Sequence, residues 1–298
     1  MTDARRQMGV GKNLLVIECV PNVAEGRNRD VLEALATACG ESLLDLHTDS
    51  DHHRSVFTLA GPGADDAADA VRSLAVAVAH HVDVSTHEGV HPRLGALDVV
   101  PFVPLDPARG AIAVEEARAF AGWVAETLGI PAFLYGDADP GRRSLPELRR
   151  DAFRRRAPDR GPSTAHPALG AVAVGARPVL VAVNCELATD DVTLAQAIAR
   201  KIRERDGGLP GVRALGFPLA SRGHAQVSMN LVALGETGLQ HACEAVRELA
   251  HAVDVDIARV ELVGLIPAAE VARCDAEFLS WSGIGPDLTI EARLAAER

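Results

Sequence analysis

The sequence lacks any long hydrophobic run and any secretion signal. A transmembrane helix needs about 20 consecutive apolar residues, and every apolar stretch of this 298-residue chain is interrupted by a charged or polar residue before that length. The start of the chain is basic, with Arg5, Arg6 and Lys12. The apolar run Leu14–Val20 that follows contains Glu18 and leads to no small-residue cleavage site. We therefore expect a cytoplasmic protein without a membrane segment.

Positive charge is also scarce. The 41 acidic residues outnumber the 30 basic ones, the formal net charge is −11, and only Lys12 and Lys201 are lysines. Because nucleic-acid phosphates attract basic proteins, this balance disfavours nucleic acid as a partner. With 48% hydrophobic and 24% charged residues, the composition is that of a soluble globular protein with room for two domains. We expect its partners to be small molecules.

The cysteines form no C-x-x-C pair. The five positions are Cys19, Cys39, Cys185, Cys243 and Cys274. An odd, scattered set in a chain of this length is typical of buried thiols in a reducing compartment. A disulfide framework and a zinc knuckle are both disfavoured.

Hydrophobic periodicity predicts the same order of elements in both halves of the chain: strand, helix, strand, strand, helix, strand. In the first half the predicted elements are Leu14–Val20, Arg29–Ala38, Leu43–His47, Ser55–Ala60, Ala64–Val82 and Gly95–Val103. In the second half they are Val179–Val183, Asp190–Glu204, Val212–Leu219, Ala225–Leu231, Gly238–Val253 and Ile257–Leu265. This pattern predicts an α/β (α+β) fold of two ferredoxin-like βαββαβ lobes, with helices over one face of each sheet.

An insertion separates the two predicted units. It comprises a helix at Val114–Leu128, a strand at Ala132–Tyr135, an arginine-rich helix near Leu145–Arg155 and a loop at Ala157–Leu169. Loops of this length in a compact protein are usually functional or disordered. A last helix is predicted at Ala268–Asp275, and the sequence beyond it has no clear pattern.

Two polar segments at predicted strand ends are candidates for chemistry. Residues 47–54 have the sequence HTDSDHHR, and residues 87–93 have the sequence HEGVHPR. In the second segment, Pro92 favours extended backbone at His91, and Gly89 permits a tight turn. An imidazole, with an unperturbed pKa of about 6.5, can accept and return a proton near neutrality. His91 is therefore either a general acid–base group or a hydrogen-bonded structural histidine.

Arginines end both polar segments. Arg54 and Arg93 can each bind a carboxylate through two parallel hydrogen bonds, or each can form a surface salt bridge. The histidines and carboxylates of the two segments would also suit a divalent metal ion. Their spacing is not that of H-E-x-x-H, and we expect no metal. The loop at residues 161–170 has no phosphate-binding signature, but its small residues would let a flat ligand lie close to the backbone.

Seven segments along the chain form a specific collinear pattern. They are Glu18–Gly26, His91–Phe102, Leu134–Gly136, Gly161–Gly170, Gly175–Arg177, Ala225–Leu231 and Leu262–Pro267. Together they resemble the formiminotransferase family from about Leu14 to Asp275. The resemblance implies two subdomains, residues 1–178 and 179–298, whose sheets face each other across a cleft that binds folate.

The resemblance also implies an activity. The formimino group of N-formimino-L-glutamate would pass to N5 of tetrahydrofolate, a co-substrate, and glutamate would be released during histidine degradation. His91 occupies the family's catalytic position, where it would accept the proton from N5 and return it to the leaving amine. Arg54 and Arg93 are the candidates for binding the glutamate carboxylates. The matching folate-binding loop consists of Gly161, Pro162, Ser163, Thr164, Ala165, His166, Pro167, Ala168, Leu169 and Gly170.

Three positions depart from some family members. His53 replaces an asparagine, His47 replaces a carboxylate, and Leu169 replaces a tryptophan. The departures leave two alternatives open: a folate-binding relative without turnover, and a metal-dependent amidine or amide hydrolase. The bifunctional members have a further cyclodeaminase domain for which this chain is too short, so we expect a separate cyclodeaminase. We also expect a homodimer.

Overall fold

The N-terminal lobe is built around one large sheet. The computed structural model describes residues 16–63, 65–85, 87–88 and 93–296. The strands are β1 (Ile17–Cys19), β2 (Asn22–Val23), β3 (Leu43–Asp49), β4 (Arg54–Leu59), β5 (Leu97–Pro104), β6 (Ala132–Gly136) and β7 (Val172–Ala176). The helices are α1 (Arg29–Cys39), α2 (Asp66–His81), α3 (Gly110–Leu128) and α4 (Leu145–Asp151).

The first strand of this lobe is interrupted at Val20 and Pro21. Its two pieces, β1 and β2, both pair antiparallel with β4 and β5, while β3 pairs with β4 at the edge. These strands have the ferredoxin-like arrangement that the sequence predicts. Beyond β5, strands β7 and β6 add two parallel pairs. The insertion therefore enlarges the first sheet, and β7 is a strand that the sequence pattern did not predict.

Helices cover both faces of the enlarged sheet. On one face, Leu35, Val71 and Phe120 from α1, α2 and α3 pack against the strands and are fully buried. On the other face, Leu148 of α4 packs with Phe133 and the neighbouring residues of β6 and β7. Because β6 and β7 are buried on both faces, their residues are apolar without alternation, as is usual for parallel strands.

The C-terminal lobe has a smaller antiparallel sheet. Its elements are β8 (Val181–Leu187), α5 (Val192–Ile202), β9 (Val212–Leu219), β10 (His224–Leu231), α6 (Leu239–His251) and β11 (Ile257–Val263). The strand order β11-β8-β10-β9 is ferredoxin-like. Asp191 begins α5 by accepting hydrogen bonds from the backbone N–H groups of Thr193 and Leu194 at 2.8 and 3.1 Å. Helices α5 and α6 pack on one face, with Ile198 and Val246 in the core.

The two lobes contact each other through two hairpins, β3–β4 of the first sheet and β9–β10 of the second. Asp51, in the turn between β3 and β4, accepts hydrogen bonds from the backbone N–H and the hydroxyl of Ser221, in the turn between β9 and β10, at 3.1 and 2.6 Å. The rings of His52 and Phe217 lie 5.0 Å apart, edge to face. The predicted arrangement of two facing lobes is confirmed.

The end of the described chain returns to the N-terminal lobe. Helices α7 (Ala268–Val271), α8 (Ala276–Ser282) and α9 (Ile290–Ala296) follow β11. The sequence predicts one helix over 268–275, but Asp275 accepts a hydrogen bond from the Phe278 N–H at 2.8 Å and so begins a new one. Ile290 and Leu294 of α9 form an apolar cluster with Val16 and Leu44. None of the helices in the described ranges is long and apolar enough to cross a membrane.

Candidate active site

Three arginines surround one buried carboxylate on the face of the N-terminal sheet that meets the other lobe. Asp98 of β5 is 2% exposed and accepts hydrogen bonds from the Leu94 N–H at 2.7 Å and from Arg149 Nη2 at 2.5 Å. Arg54 and Arg93 interact electrostatically with the same carboxylate. We call Arg54, Arg93, Arg149 and Asp98 the arginine cluster. Because its guanidiniums outnumber its carboxylate, the cluster suits an anionic ligand.

Burial changes the acidity of these guanidiniums. The pKa of Arg54 is lowered to about 10: burial is the main cause, Arg149 and Arg93 act in the same direction, and Asp98 and Asp49 oppose them. Burial also lowers the pKa of Arg93, again with Asp98 acting in the opposite direction. Both guanidiniums remain cations near neutrality. A carboxylate bound between them would further stabilise the charged form of each.

Two stacked imidazoles lie beside the arginine cluster. The rings of His53 and His87 are 3.7 Å apart at an interplanar angle of 21°. His53 Nδ1 lies 2.9 Å from the Glu88 carbonyl oxygen, and His53 Nε2 lies 3.2 Å from Glu25 Oε1. Arg93 Nη1 lies 3.0 Å from His87 Nε2. The hairpin β3–β4, the turn after β2 and the segment before β5 therefore meet at these two rings.

The structure brings together some of the residues predicted from sequence. Arg54 and Arg93, from different polar segments, share the surroundings of Asp98. His91 lies outside the described residues, as do Gly89 and Pro92. The described residues on either side of it in the chain belong to these two groups: residues 87–88 are at the stacked imidazoles, and residue 93 is in the arginine cluster.

The predicted folate loop packs against the segment on either side of His91. The Val84 N–H donates to the Ala168 carbonyl at 2.8 Å, and the Ala96 N–H donates to the Leu169 carbonyl at 2.9 Å. Leu169 is buried, whereas residues 161–165 are exposed. Gly95 permits this close approach, because a Cβ there would lie 2.2 Å from the Leu169 oxygen. The second half of the loop thus borders the site, and its first half lies in solvent.

A polar face of the C-terminal sheet lies opposite. In β10, Ala225 and Val227 enter the helix-covered core, so Gln226 between them points to the other face. Both polar side-chain atoms of Gln226 are buried and have no hydrogen-bond partner within the part of the chain that the structure describes. Leaving such a group unsatisfied costs roughly 1–3 kcal/mol. A ligand with hydrogen-bonding groups would remove that penalty.

Two buried carboxylates, Glu186 and Glu261, lie on the same face of the sheet as Gln226. Glu186 is paired with Gln226 across β8 and β10, and Arg222 bonds to it. Glu261 accepts a hydrogen bond from Asn184 at 3.1 Å. His47, one of the three departures from the family pattern, has its Nε2 4.0 Å from Glu261 Oε1 of the other lobe. His47 is therefore an inter-lobe contact.

Sequence reasoning missed three residues of this site. Asp98 was part of a recognised motif without a role, and Arg149 was one of many arginines in the insertion. Gln226 offered the clearest signal, because a polar residue that alternates with apolar ones in a strand faces away from the core.

No three histidine, cysteine, aspartate or glutamate side chains among the described residues cluster as metal ligands.

Comparison with known proteins gives a consistent family. Residues 16–177 match the formiminotransferase domain, N-terminal subdomain, and residues 182–282 match the formiminotransferase domain. A glutamate formimidoyltransferase of Streptococcus pyogenes is 38% identical over 85% of this chain and 89% of its own length. A glutamate formimidoyltransferase of Thermoplasma acidophilum is 36% identical over 94% of this chain and 97% of its own length. The formimidoyltransferase-cyclodeaminase of Sus scrofa is 36% identical over 85% of this chain, which spans half of that protein.

Proposed function

This chain belongs to the formiminotransferase family, and from that membership we infer that it is a glutamate formimidoyltransferase. It transfers the formimino group of N-formimino-L-glutamate to N5 of tetrahydrofolate and releases glutamate. The observation that most strongly supports this reaction is the arginine cluster, which includes Arg93, two residues after His91 in the chain, and borders the loop at 161–170. A cluster with excess positive charge at that place suits a dicarboxylic donor.

We propose His91 as the group that moves the proton. The attacking nitrogen must lose a proton as the carbon–nitrogen bond forms, and the departing amine of glutamate must gain one. A single imidazole can do both near neutrality, which typically contributes 10²–10⁴-fold to the rate. The position of His91 between the described flanks at His87 and Arg93 supports this role.

The arginine cluster is proposed to bind the carboxylates of the donor. Arg54 and Arg93 were expected from sequence, and Arg149 joins them because it shares Asp98. Asp98 is the positioning residue of the cluster: its two oxygens accept hydrogen bonds from Leu94 and Arg149, and its charge faces Arg54 and Arg93. A bidentate guanidinium–carboxylate contact fixes orientation as well as affinity.

Tetrahydrofolate is proposed to bind in the cleft between the lobes. The residues present fit such a ligand on two counts. The unsatisfied amide of Gln226 offers N–H donors and a carbonyl acceptor to a heterocycle that has both kinds of group. In the half of the loop that borders the site, residues 166–168 and 170 are at least partly exposed. Holding two substrates together in one cleft can itself contribute several kcal/mol to lowering the barrier.

The reaction is tested by a two-substrate assay. Purified protein with N-formimino-L-glutamate and tetrahydrofolate should release glutamate only when both are present. His91→Ala should lower turnover by about 10²–10⁴-fold, with unchanged folding and folate affinity. His81→Ala, at an exposed position on α2, is the matched control and should keep full activity. Folate binding without glutamate release would contradict the proposed activity, and full activity of His91→Ala would contradict the proposed base.

We also propose the subdomain division and the cellular location. Strand β7 ends at Ala176 and β8 begins at Val181, which supports a boundary at residue 178. All five cysteines are free thiols, and four are buried, which supports a reducing compartment and hence the cytoplasm. Thiol titration of the native and unfolded protein checks the second proposal, because a disulfide would lower the unfolded count below five.

A further inference from the structure

His53 lies between two hydrogen-bond acceptors. Its Nδ1 is 2.9 Å from the carbonyl oxygen of Glu88, and its Nε2 is 3.2 Å from Glu25 Oε1. A carbonyl has no proton to give. Glu25 Oε1 already accepts hydrogen bonds from the backbone N–H groups of residues 26, 27 and 28 at 2.8, 2.7 and 2.9 Å, so it cannot hold one either. Both bonds therefore require a proton on each ring nitrogen of His53.

The ionised state of Glu25 agrees with this geometry. Burial raises the pKa of Glu25, but the three backbone N–H bonds and the charge of His53 outweigh burial and lower it overall. The side chains of His53 and Glu25 are only 15% and 13% exposed, so water screens the pair weakly.

His87 has the opposite protonation state. The Arg93 guanidinium can only donate, so His87 Nε2, 3.0 Å away, must accept. The proton of a neutral His87 ring is then on Nδ1. A cationic ring stacked on a neutral one at 3.7 Å is a favourable arrangement, because the positive charge lies over a π face.

His53 thereby joins three segments that are distant in sequence. It is on the β3–β4 hairpin, 28 residues from Glu25 and 35 residues from Glu88. Its backbone has a positive φ of 49°, a conformation in which histidine and asparagine are enriched. Because the His87 ring stacks on His53 and contacts the Arg93 guanidinium, His53 also holds in place the ring beside that guanidinium.

We propose that His53, doubly protonated between Glu25 and Glu88, is a positioning residue that orders His87 and, through it, Arg93 for binding of the donor's carboxylates. The second half of this inference rests on the proposed function. Loss of either proton breaks one hydrogen bond and removes the cation from the stack. Binding of the donor should then be weaker when the ring is neutral.

Several charged groups surround His53 in the described structure. Glu25 faces the ring and favours the imidazolium. Arg54, the next residue in the chain, and Arg93, which contacts the stacked His87 ring, oppose it by their positive charge. On the segment before β5, Glu88 contributes its carbonyl and His87 is neutral. The geometry favours the cation because both ring nitrogens point to acceptors.

The protonation state is tested by nuclear magnetic resonance of histidine ring nitrogens. In the wild-type protein at about pH 7, His53 should show two protonated nitrogens and His87 one. Glu25→Gln removes the facing charge while keeping an acceptor oxygen, and should move the loss of the His53 proton to lower pH. A His53 ring with one unprotonated nitrogen at about pH 7 would overturn the inference, whatever the enzyme's substrates.

The positioning role is tested by binding. His53→Asn suits the positive φ but provides no cation, and should weaken N-formimino-L-glutamate binding about tenfold, the equivalent of one charged hydrogen bond. It should also abolish the pH dependence of that binding and leave tetrahydrofolate affinity unchanged, and His81→Ala should behave as wild type. Unchanged donor affinity in His53→Asn would overturn the positioning role. Absence of formimidoyl transfer in the wild-type protein would instead contradict the proposed function.

Discussion

Replacement of the buried Glu18 by glutamine should increase stability at neutral pH. Glu18 lies on β1 and is 4% exposed. Burial raises its pKa from the ordinary 4.5 to about 7; Arg177 opposes the shift and Glu291 adds to it. At 1.36 kcal/mol for each pH unit, this difference corresponds to about 3 kcal/mol.

The sign of the effect follows from proton binding. Between pH 4.5 and about 7 the folded protein holds a proton on Glu18 that the unfolded chain has lost. The free energy of unfolding therefore falls as the pH rises. The contribution of Glu18 is full below pH 4.5 and lost above about 7. Glutamine has no proton to lose, so Glu18→Gln should be more stable than wild type by about 2–3 kcal/mol at pH 8 and similar to it at pH 4.5.

Urea unfolding across this pH range measures the effect. The two proteins should differ progressively more as the pH rises, with equal m-values. Glu33→Gln, at an exposed position on α1, is the matched control and should change stability by less than about 0.5 kcal/mol at every pH. A difference between wild type and Glu18→Gln that does not depend on pH would refute the reasoning.

Two further substitutions test the geometry of the site. Asp98→Asn leaves buried guanidiniums without their counter-charge and should cost about 2–4 kcal/mol in urea unfolding, whereas Asp69→Asn, which changes an exposed carboxylate paired with Arg72, should cost less than about 1 kcal/mol. Equal effects would show that the Asp98 charge is unimportant. Gly95→Ala places a methyl group 2.2 Å from the Leu169 oxygen, so it should destabilise the protein by about 1–3 kcal/mol and raise the KM for tetrahydrofolate. Gly122→Ala, with no atom within 4 Å, is its control, and a Gly95→Ala protein with wild-type stability and KM would contradict the close packing of the loop.

Local sequence patterns predicted most of the secondary structure of both lobes. Strand β9 has the predicted bounds Val212–Leu219, and β10 begins one residue before the predicted Ala225. In β10, alternation with period two separates core residues from Gln226 because successive side chains of a strand point to opposite faces. The two polar segments supplied the candidate site residues Arg54 and Arg93, which the fold places around one carboxylate.

Only the tertiary structure decided which distant residues meet. Strand β7 contains Gly175, a poor strand former, and is a strand because β5 and β6 pair with it on both sides. Helix α9 is short and is stabilised by packing against Val16 and Leu44 of the other lobe. Arg149 and Asp98 are 51 residues apart, and Asp51 and Ser221 are 170 apart. Such contacts leave no periodic trace in the sequence, because periodicity reports how a residue lies within its own element and not which element packs against it.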